Sequence, residues 1–370
     1  MYATDMPKGF SLNWVFHQVF DCGTRVSFLL AFTSATILGN YTRVGLNELS
    51  SYEPSYVASG SVLWSNLVAC MIMGMLQDLK KGGWFEPEEL SNTFVVFTTG
   101  YCGALSSYAT MMLEIFLHST SLMPSDIANG IKLPNRAYGI MEFLSVLLVQ
   151  LIVSMGSYVF GRSFAKHIIL PLGPQMDLPE EKNELVPEPS VSGFKLLWTY
   201  RLVKTLHLVF SIAAIPLIAL IIVLSCVYDN KSRSLWTLPE LLCIPGGFLR
   251  YYLAVWFNSS LEFFPLGTFY ANQFAVITLA VFTMCLRGRS NSDPSMPIAK
   301  TITQCHVLSA LSTGFSGTLS TISTFINEGY HLPLSKALIY YGLSIIGSYC
   351  FFVVMLGSLA WTRGLTNSAC

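Results

Sequence analysis

The stretch STGFSGTLSTISTFINE, residues 312–328, lies in a window that would otherwise read as an apolar membrane helix. It combines two glycines with closely spaced serines and threonines. Glycine is a weak helix former, and non-helical backbone at membrane depth occurs only where it is buried or lines a cavity. The stretch therefore predicts either a broken membrane helix whose free carbonyls hold a monovalent cation, or close helix packing through small residues.

The composition around this stretch is that of an integral membrane protein. Of the 370 residues, 52% are hydrophobic and 11% are charged, against roughly 25% charged in a soluble domain. A helix needs about 20 apolar residues to cross a bilayer. Nine candidate spans lie near residues 15–38, 58–77, 93–117, 137–160, 205–227, 239–257, 266–286, 303–326 and 336–361. We therefore predict an all-α membrane protein with nine transmembrane helices.

A related stretch, TTGYCGALSSYATMMLE, occurs at residues 98–114. Laid over 312–328 without a gap, it matches both glycines, several hydroxyl residues and the final glutamate. Each half also holds one asparagine on its second span, Asn66 and Asn272, and one arginine on its first, matched as Arg25 and Arg250. Because a fifth span separates two sets of four, we predict two inverted four-helix repeats joined by a linker helix.

These repeats divide the chain into three parts, an N-terminal repeat (1–160), a polar linker with the linker helix (161–238) and a C-terminal repeat (239–370). The segment 171–190 is rich in proline and acids, which predicts a solvated linker. Lys and Arg divide almost evenly between the two faces, and the basic loop 161–204 favours a cytoplasmic N-terminus with an extracellular C-terminus. The sequons at Asn40 and Asn230 would then face outside, whereas that at Asn258 would not.

The sequence offers little for catalysis. The histidines have no paired spacing, and the cysteines show no CxxC pair, which predicts packing roles. Acids are almost missing from the predicted span centres, with Glu142 near a helix start as the exception. Net charge is +0, so no basic face favours nucleic acid. We predict no catalytic residues and no enzyme activity.

The polar groups of the two repeats suit a small anion better than a substrate. An asparagine amide donates two hydrogen bonds, and serine and threonine rows supply further donors, although any single hydroxyl is more often bonded to its own helix. Aromatic rings present a positive edge, so rings beside such a row can partly replace the hydration shell of an anion.

Two segments carry a resemblance to a known family. GFSGTLSTISTF at 314–325 and FPLGTFYAN at 264–272 resemble the fluoride channel and exporter family, which comprises bacterial CrcB-type channels and eukaryotic FEX proteins. The resemblance is strong in the C-terminal repeat and fainter in the N-terminal one. It implies passive, selective fluoride export across the plasma membrane, fluoride resistance, a structural sodium ion, and a monomer in the lipid bilayer that acts as a fused pseudo-dimer.

The resemblance also implies roles for particular residues. Sodium would be held by backbone carbonyls at helix breaks around Gly100, Gly103, Gly314 and Gly317. Fluoride would meet Asn66, Asn272, Ser107, Thr321 and the ring positions Tyr108 and Phe325. Arg25 and Arg250 would shape the vestibule field, although Arg25 would equally well pair with a helix end or a lipid headgroup.

One departure from the family pattern is informative. The remaining two ring positions hold Met111 and Ile322. If each pore takes one ring from each half, one pore pairs Tyr108 with Phe325 and the other has no ring, which predicts a single active pore. Two alternatives stay open, an inverted-repeat carrier for another small solute and a non-conducting membrane scaffold.

Overall fold

The computed structural model describes residues 12–370 except 53–56, 58–59, 86–87, 131–132, 173–192, 229–231 and 292. Within these residues the chain is helical, apart from loops and the isolated bridges Gly288–Leu365 and Arg289–Pro297. The polar linker 171–190 and the sequon at Asn230 lie almost entirely outside the described residues.

Helices lie over each of the predicted spans of the N-terminal half and over the linker span. Their bounds are α1 Leu12–Leu49, α2 Leu63–Lys81, α3 Glu88–Val95, a π-helical segment Val96–Cys102, α4 Gly103–Leu105, α5 Tyr108–Ser119, α6 Pro124–Asn129 and α7 Arg136–Phe164. A π-helical turn Ala165–Ile169 and a 3₁₀ turn Leu170–Leu172 extend α7, and α8 follows at Gly193–Val227.

The C-terminal half repeats this order of helices. A π-helical turn Arg233–Thr237 leads into α9 Leu238–Phe257, α10 Leu266–Arg287, α11 Ile302–Ala310, a π-helical segment Leu311–Ser316, α12 Gly317–Leu319, α13 Ile322–His331 and α14 Leu334–Phe352. A π-helical turn Val353–Gly357 and α15 Ser358–Thr362 complete it.

Within the described residues, four stretches are each long and apolar enough to cross a membrane as one helix. They are Ala137–Leu172, Trp198–Val227, Leu266–Arg287 and Leu334–Thr362. Large apolar side chains point outward from them, among them Ile152, Ile212 and Ile346, all at least 64% exposed. Exposed aliphatic surface of this extent is stable in lipid rather than water, so the chain is an integral membrane protein.

The interior of the molecule is built by both halves together. The largest apolar cluster joins buried side chains of α5 with those of α10, α13 and α14. A smaller cluster, formed by Ile37, Ile221 and Cys243, packs α1 against α8 and α9. Neither half therefore encloses a complete core of its own.

Helix α1 extends to Leu49, well beyond the predicted end at residue 38. Its later turns carry Asn40 and Arg43, which are 0% and 2% exposed. These polar residues lower the local hydropathy, so the predicted span ended before them. The helix continues because both side chains find hydrogen-bond partners inside the protein. The prediction that the Asn40 sequon faces outside is therefore wrong.

The packing interpretation of the cysteines needs one correction. Cys305 at the start of α11 and Cys370 at the chain end form a disulfide. Cys70, Cys102 and Cys243 are free and buried, as packing cysteines would be. The pair was missed because 65 residues separate its members, so no short spacing marks them.

Candidate functional site

Two helices are interrupted where the halves meet. Ser106 and Ser107, between α4 and α5, have extended backbone with ψ of 152° and 112°. Ser320 and Thr321, between α12 and α13, match them with ψ of 157° and 132°. The predicted breaks at Gly100–Gly103 and Gly314–Gly317 are thus misplaced by a few residues, because the glycines stay helical and the hydroxyl residues after them leave the helix.

Each break begins the next helix in the same way. The Ser107 hydroxyl accepts from the Thr110 N–H, and the Thr321 hydroxyl accepts from the Thr324 N–H, so both act as N-caps. The capping residue satisfies a backbone donor that the interrupted helix would otherwise leave unpaired.

The two asparagines hold these breaks in place. Asn66 Oδ1 accepts from the Ser107 N–H at 2.9 Å, and Asn272 Oδ1 accepts from the Thr321 N–H at 2.8 Å. Both asparagines are 0% exposed. Their amide nitrogens contact acceptors more loosely, Asn66 Nδ2 at 3.5 Å from Gln150 Oε1 and Asn272 Nδ2 at 3.3 Å from the Thr321 carbonyl. In each asparagine, the amide NH₂ group therefore makes longer hydrogen bonds than the amide oxygen does.

The breaks of the two repeats cross and bond to each other. The hydroxyls of Ser106 and Thr321 lie 3.1 Å apart, as do those of Ser107 and Ser320. The Ser320 hydroxyl also accepts from the Ala109 N–H at 3.0 Å. These hydrogen bonds thus hold the helix break of one repeat against the helix break of the other.

The structure brings Tyr108 and Phe325 together beside this crossing. Their ring centroids are 5.1 Å apart, and Phe325 also lies 4.8 Å from Tyr340 and 4.6 Å from Tyr341. Both Tyr108 and Phe325 are 0% exposed. Met111 and Ile322, at the other two ring positions, are buried in the same apolar cluster.

A row of polar side chains on α14 passes this ring group, and sequence reasoning missed it. Tyr340, Ser344 and Ser348 recur every four residues, which places them on one helix face. Ser348 Oγ lies 3.2 Å from Tyr108 Oη and donates to Gln273 Oε1 at 3.1 Å. The signal that would have found the row is this four-residue hydroxyl spacing.

A glutamate ends the row at the far side of Phe325. Glu328 accepts from the Tyr340 hydroxyl at 2.9 Å, the Thr268 hydroxyl at 2.6 Å and the Asn258 amide at 3.0 Å. The prediction concerned acids at the span centres, and it passed over Glu328, which follows the predicted end of its span at residue 326, although the repeat alignment contained it.

A matching row exists on α7 of the N-terminal half. Gln150, Ser154 and Tyr158 recur every four residues on α7. Glu114, which aligns with Glu328, accepts from Gln150 Nε2 at 3.0 Å and from the Val62 N–H at 2.7 Å. Glu142 has no such partners among the described hydrogen bonds and is half-buried on α7. The second row therefore includes Tyr158, but Met111 and Ile322 occupy its two ring positions.

Arg250 points into the crossing from α9 and is 2% exposed. Its Nη1 donates to the carbonyls of Gly103 at 2.7 Å, of Ser320 at 3.3 Å and of Thr318. Its Nη2 donates to the carbonyl of Thr99 at 2.5 Å. The guanidinium thus binds backbone from both broken helices.

The corresponding residue of the N-terminal half is Arg43, not Arg25. Arg43 Nη1 donates to the Ala104 carbonyl at 2.7 Å, and its Nη2 donates to the Thr313 carbonyl at 2.6 Å. These two carbonyls occupy the repeat positions of Thr318 and Thr99, which Arg250 binds. Arg25 lies exposed much earlier on α1, so matching it to Arg250 was wrong. Its vestibule role stays a prediction.

The carbonyls predicted to hold sodium already accept hydrogen bonds. Those of Gly100 and Gly314 accept from the backbone N–H groups of Gly103 and Gly317. That of Gly103 accepts from Arg250, and that of Gly317 accepts from the Ser320 hydroxyl at 3.4 Å. A carbonyl oxygen has two lone pairs, so one hydrogen bond alone does not exclude a cation. Gly103 and Gly317 also lie against the guanidinium groups of Arg250 and Arg43, whose positive charge disfavours a sodium ion there, and sodium stays an expectation of the resemblance.

Comparison with known protein sequences assigns this chain to a family. The family model described as CrcB-like protein, Camphor Resistance (CrcB), matches residues 237–358. Fluoride export protein 1 of Saccharomyces cerevisiae is 49% identical over 356 residues, which are 92% of this chain and 94% of that protein. The chain belongs to the fluoride export protein family.

More distant members extend the same relationship. Fluoride export protein 1 of Candida albicans is 32% identical over 345 residues, 91% of this chain and 81% of that protein. Fluoride export protein 1 of Schizosaccharomyces pombe is 27% identical over 343 residues, 91% of this chain and 97% of that protein. No solved structure gives a match. The family model covers the segment that holds Arg250, Asn272 and Phe325.

Proposed function

We propose that this chain is a passive, selective fluoride export channel that confers fluoride resistance. The observation that carries the proposal is the buried Tyr108–Phe325 ring pair beside a hydroxyl row, in a chain closely related to fluoride export proteins. The chain is not an enzyme in this proposal, because the polar groups of the site are arranged along a path rather than around a reacting centre.

The chemistry of the site suits fluoride for a physical reason. A small anion loses a large hydration energy on entering a protein, so it needs replacement donors at every step of its path. The hydroxyls of Ser348, Ser344 and Tyr340 donate to Gln273, to the Tyr340 carbonyl and to Glu328, and they supply donors to the ion by turning toward it as it passes. The positive ring edges of Tyr108 and Phe325 fill the stretch beside them. Because neither rings nor hydroxyls carry a full charge, they stabilise the ion without trapping it.

Export then needs no energy source beyond the membrane. A potential that is negative inside drives a monovalent anion outward with about 2.3 kcal/mol per 100 mV. Fluoride accumulates in cells because hydrogen fluoride enters neutral and ionises inside, so an open path is sufficient for removal. We place this path in the plasma membrane for the same reason.

We propose nine membrane spans in two inverted four-helix repeats, 1–160 and 239–370, joined by the linker region 161–238. The matched contacts of Arg43 and Arg250, of Asn66 and Asn272, and of the two crossing breaks support this arrangement. The protein then acts as a monomer that contains its own pseudo-dimer.

We propose further that the N-terminus is cytoplasmic and the C-terminus extracellular. With nine spans, the start of α11 and the chain end fall on the same face, opposite the N-terminus. The disulfide Cys305–Cys370 supports an extracellular position for that face, because disulfides persist in oxidising compartments.

Of the two polar rows, we propose that only the one with rings conducts. Phe325→Ile is then expected to abolish fluoride flux, whereas Met111→Ile, a matched substitution at the corresponding position, leaves it within about twofold of wild type. Equal losses in both variants would contradict the single pore.

The test of the function is ion release from proteoliposomes loaded with fluoride and chloride. After a potassium ionophore is added, we expect rapid fluoride release and no chloride release, read with ion-selective electrodes. Chloride release at a similar rate would favour a less selective carrier, and release of neither ion from folded protein would favour the non-conducting scaffold.

A further inference from the structure

The crossing of the two broken helices concentrates backbone carbonyl oxygens in a buried place. Carbonyls of Thr99, Gly103 and Ala104 from one half converge with those of Thr313, Thr318 and Ser320 from the other. Several oxygen dipoles directed at one buried place require positive charge or donors there.

In this chain two side chains supply it. All six of these carbonyls accept from the guanidinium groups of Arg43 and Arg250, each of which is 2% exposed. A guanidinium carries a permanent charge and several donors, so it meets the same electrostatic demand as a bound alkali cation. An added sodium ion would lose these oxygens and meet two like charges.

The glycines of both repeats make room for these groups. A Cβ on Gly317 would lie 2.7 Å from Arg43 Nη2, and a Cβ on Gly103 would contact Arg250 Nη2. Two of the four glycine positions that the sequence marked for sodium, Gly103 and Gly317, therefore serve close approach of the arginines.

A buried carboxyl group is connected to Arg43 through an amide. Glu240 is 0% exposed, and its Oε1 accepts from Asn40 Nδ2 at 2.9 Å. Asn40 Oδ1 in turn accepts from Arg43 Nη2, so the amide links the carboxyl group to the guanidinium. Arg250 has no carboxylate among its described hydrogen-bond partners. Glu240 therefore belongs to the same buried hydrogen-bonded cluster as Arg43.

We propose that Arg43, Arg250 and Glu240 form a built-in cation that takes the place of a structural sodium ion, so that the fold of this chain does not depend on sodium. The proposal concerns the centre of the protein and not the transported ion. Its test therefore uses sodium content and stability, and it holds or fails independently of fluoride flux.

The first experiment measures sodium directly. Protein purified in detergent is exchanged into choline chloride buffer, and its sodium content is read by flame photometry. Its unfolding midpoint is followed by tryptophan fluorescence in sodium, potassium and choline chloride at equal ionic strength. We expect well under 0.1 sodium per chain and equal midpoints in the three salts. About one sodium per chain, or a saturable rise of the midpoint that only sodium produces, would overturn the proposal.

The second experiment removes the built-in charges. Arg250→Met is expected to lower the midpoint by about 10 °C in every salt, since it leaves buried carbonyls without their donors. Glu240→Gln is expected to lower it by a smaller amount, since glutamine keeps the oxygen that accepts from Asn40. Arg25→Met, which changes an exposed arginine, is the matched control and is expected to change it by less than about 2 °C. If Arg250→Met does not fold, Arg250→Lys keeps the charge with fewer donors and is expected to show a smaller fall. Midpoints of Arg250→Lys and Glu240→Gln equal to wild type would contradict the role of the cluster.

Discussion

At the scale of single residues, the glycines of the quoted stretch are explained by what lies against them. Gly317 faces the guanidinium of Arg43, and Gly246 on α9 faces the Phe315 carbonyl, where a Cβ would lie only 2.6 Å away. Of the two interpretations that the sequence allowed, close packing through small residues agrees with these contacts.

Gly317→Ala tests this close approach. The added methyl group would displace a guanidinium that several carbonyls hold, and overpacking of this kind typically costs about 1–3 kcal/mol. We expect a lower unfolding midpoint in detergent. Gly342→Ala on α14 is the control, because nothing lies within 4 Å of its added Cβ. A midpoint for Gly317→Ala equal to that of the control would show that the site accommodates the added methyl group without strain.

Ser348→Ala tests the hydroxyl row. The substitution removes the hydroxyl 3.2 Å from Tyr108 Oη and leaves the ring pair in place. Loss of one hydrogen bond of about 1 kcal/mol corresponds to a roughly fivefold slower fluoride flux in proteoliposomes. Ser358→Ala, an exposed hydroxyl bonded to its own helix, should conduct as wild type. Unchanged flux in Ser348→Ala would remove this residue from the path.

Residues that recur in both halves or in the family pattern were predictable. Asn66 and Asn272 were matched between the halves, Tyr108 and Phe325 were ring positions implied by the resemblance, and the structure brings all four to the crossing. Arg43 was missed because it follows the predicted end of its span, where a charge ordinarily marks the membrane surface. Only its buried partners, which are distant in sequence, reveal why a charge is stable there.

At the scale of elements, the decisive feature is a helix that stops and restarts inside the protein. Hydropathy located these helices well, since apolar length is a local property of the sequence. The position of the break is not set by the local sequence alone. It depends on Asn66 and Asn272, which come from neighbouring helices and accept the backbone N–H groups that the interruption exposes.

Asn272→Leu is therefore expected to destabilise the break. The substitution leaves the Thr321 N–H without its acceptor in a buried site, which costs about 1–3 kcal/mol. We expect a lower unfolding midpoint together with slower fluoride flux. Asn291→Leu, in the exposed loop between α10 and α11, controls for loss of an asparagine. If the midpoint of Asn272→Leu matched this control, another group would have to hold the break.

At the scale of the whole molecule, the disulfide gives a test of orientation. In intact cells, an impermeant reductant followed by an impermeant maleimide should label Cys305 and Cys370 from outside. The variant in which both are serine should lose this labelling and reveals the background from Cys226 and Cys350, which are exposed on the protein surface. Labelling of the pair only after the cells are permeabilised would reverse the proposed orientation.

The sharing of each arginine between the two halves has a consequence for how the protein is made. Arg43 is synthesised early, yet it binds the Thr313 carbonyl and, through Asn40, Glu240. At about 5–20 residues per second, these partners leave the ribosome roughly 10–50 s after Arg43. During that interval Arg43 has partners only from the first half, among them the Ala104 carbonyl and Asn40. The contacts of this buried charge are therefore complete only once the chain has been synthesised past Thr313.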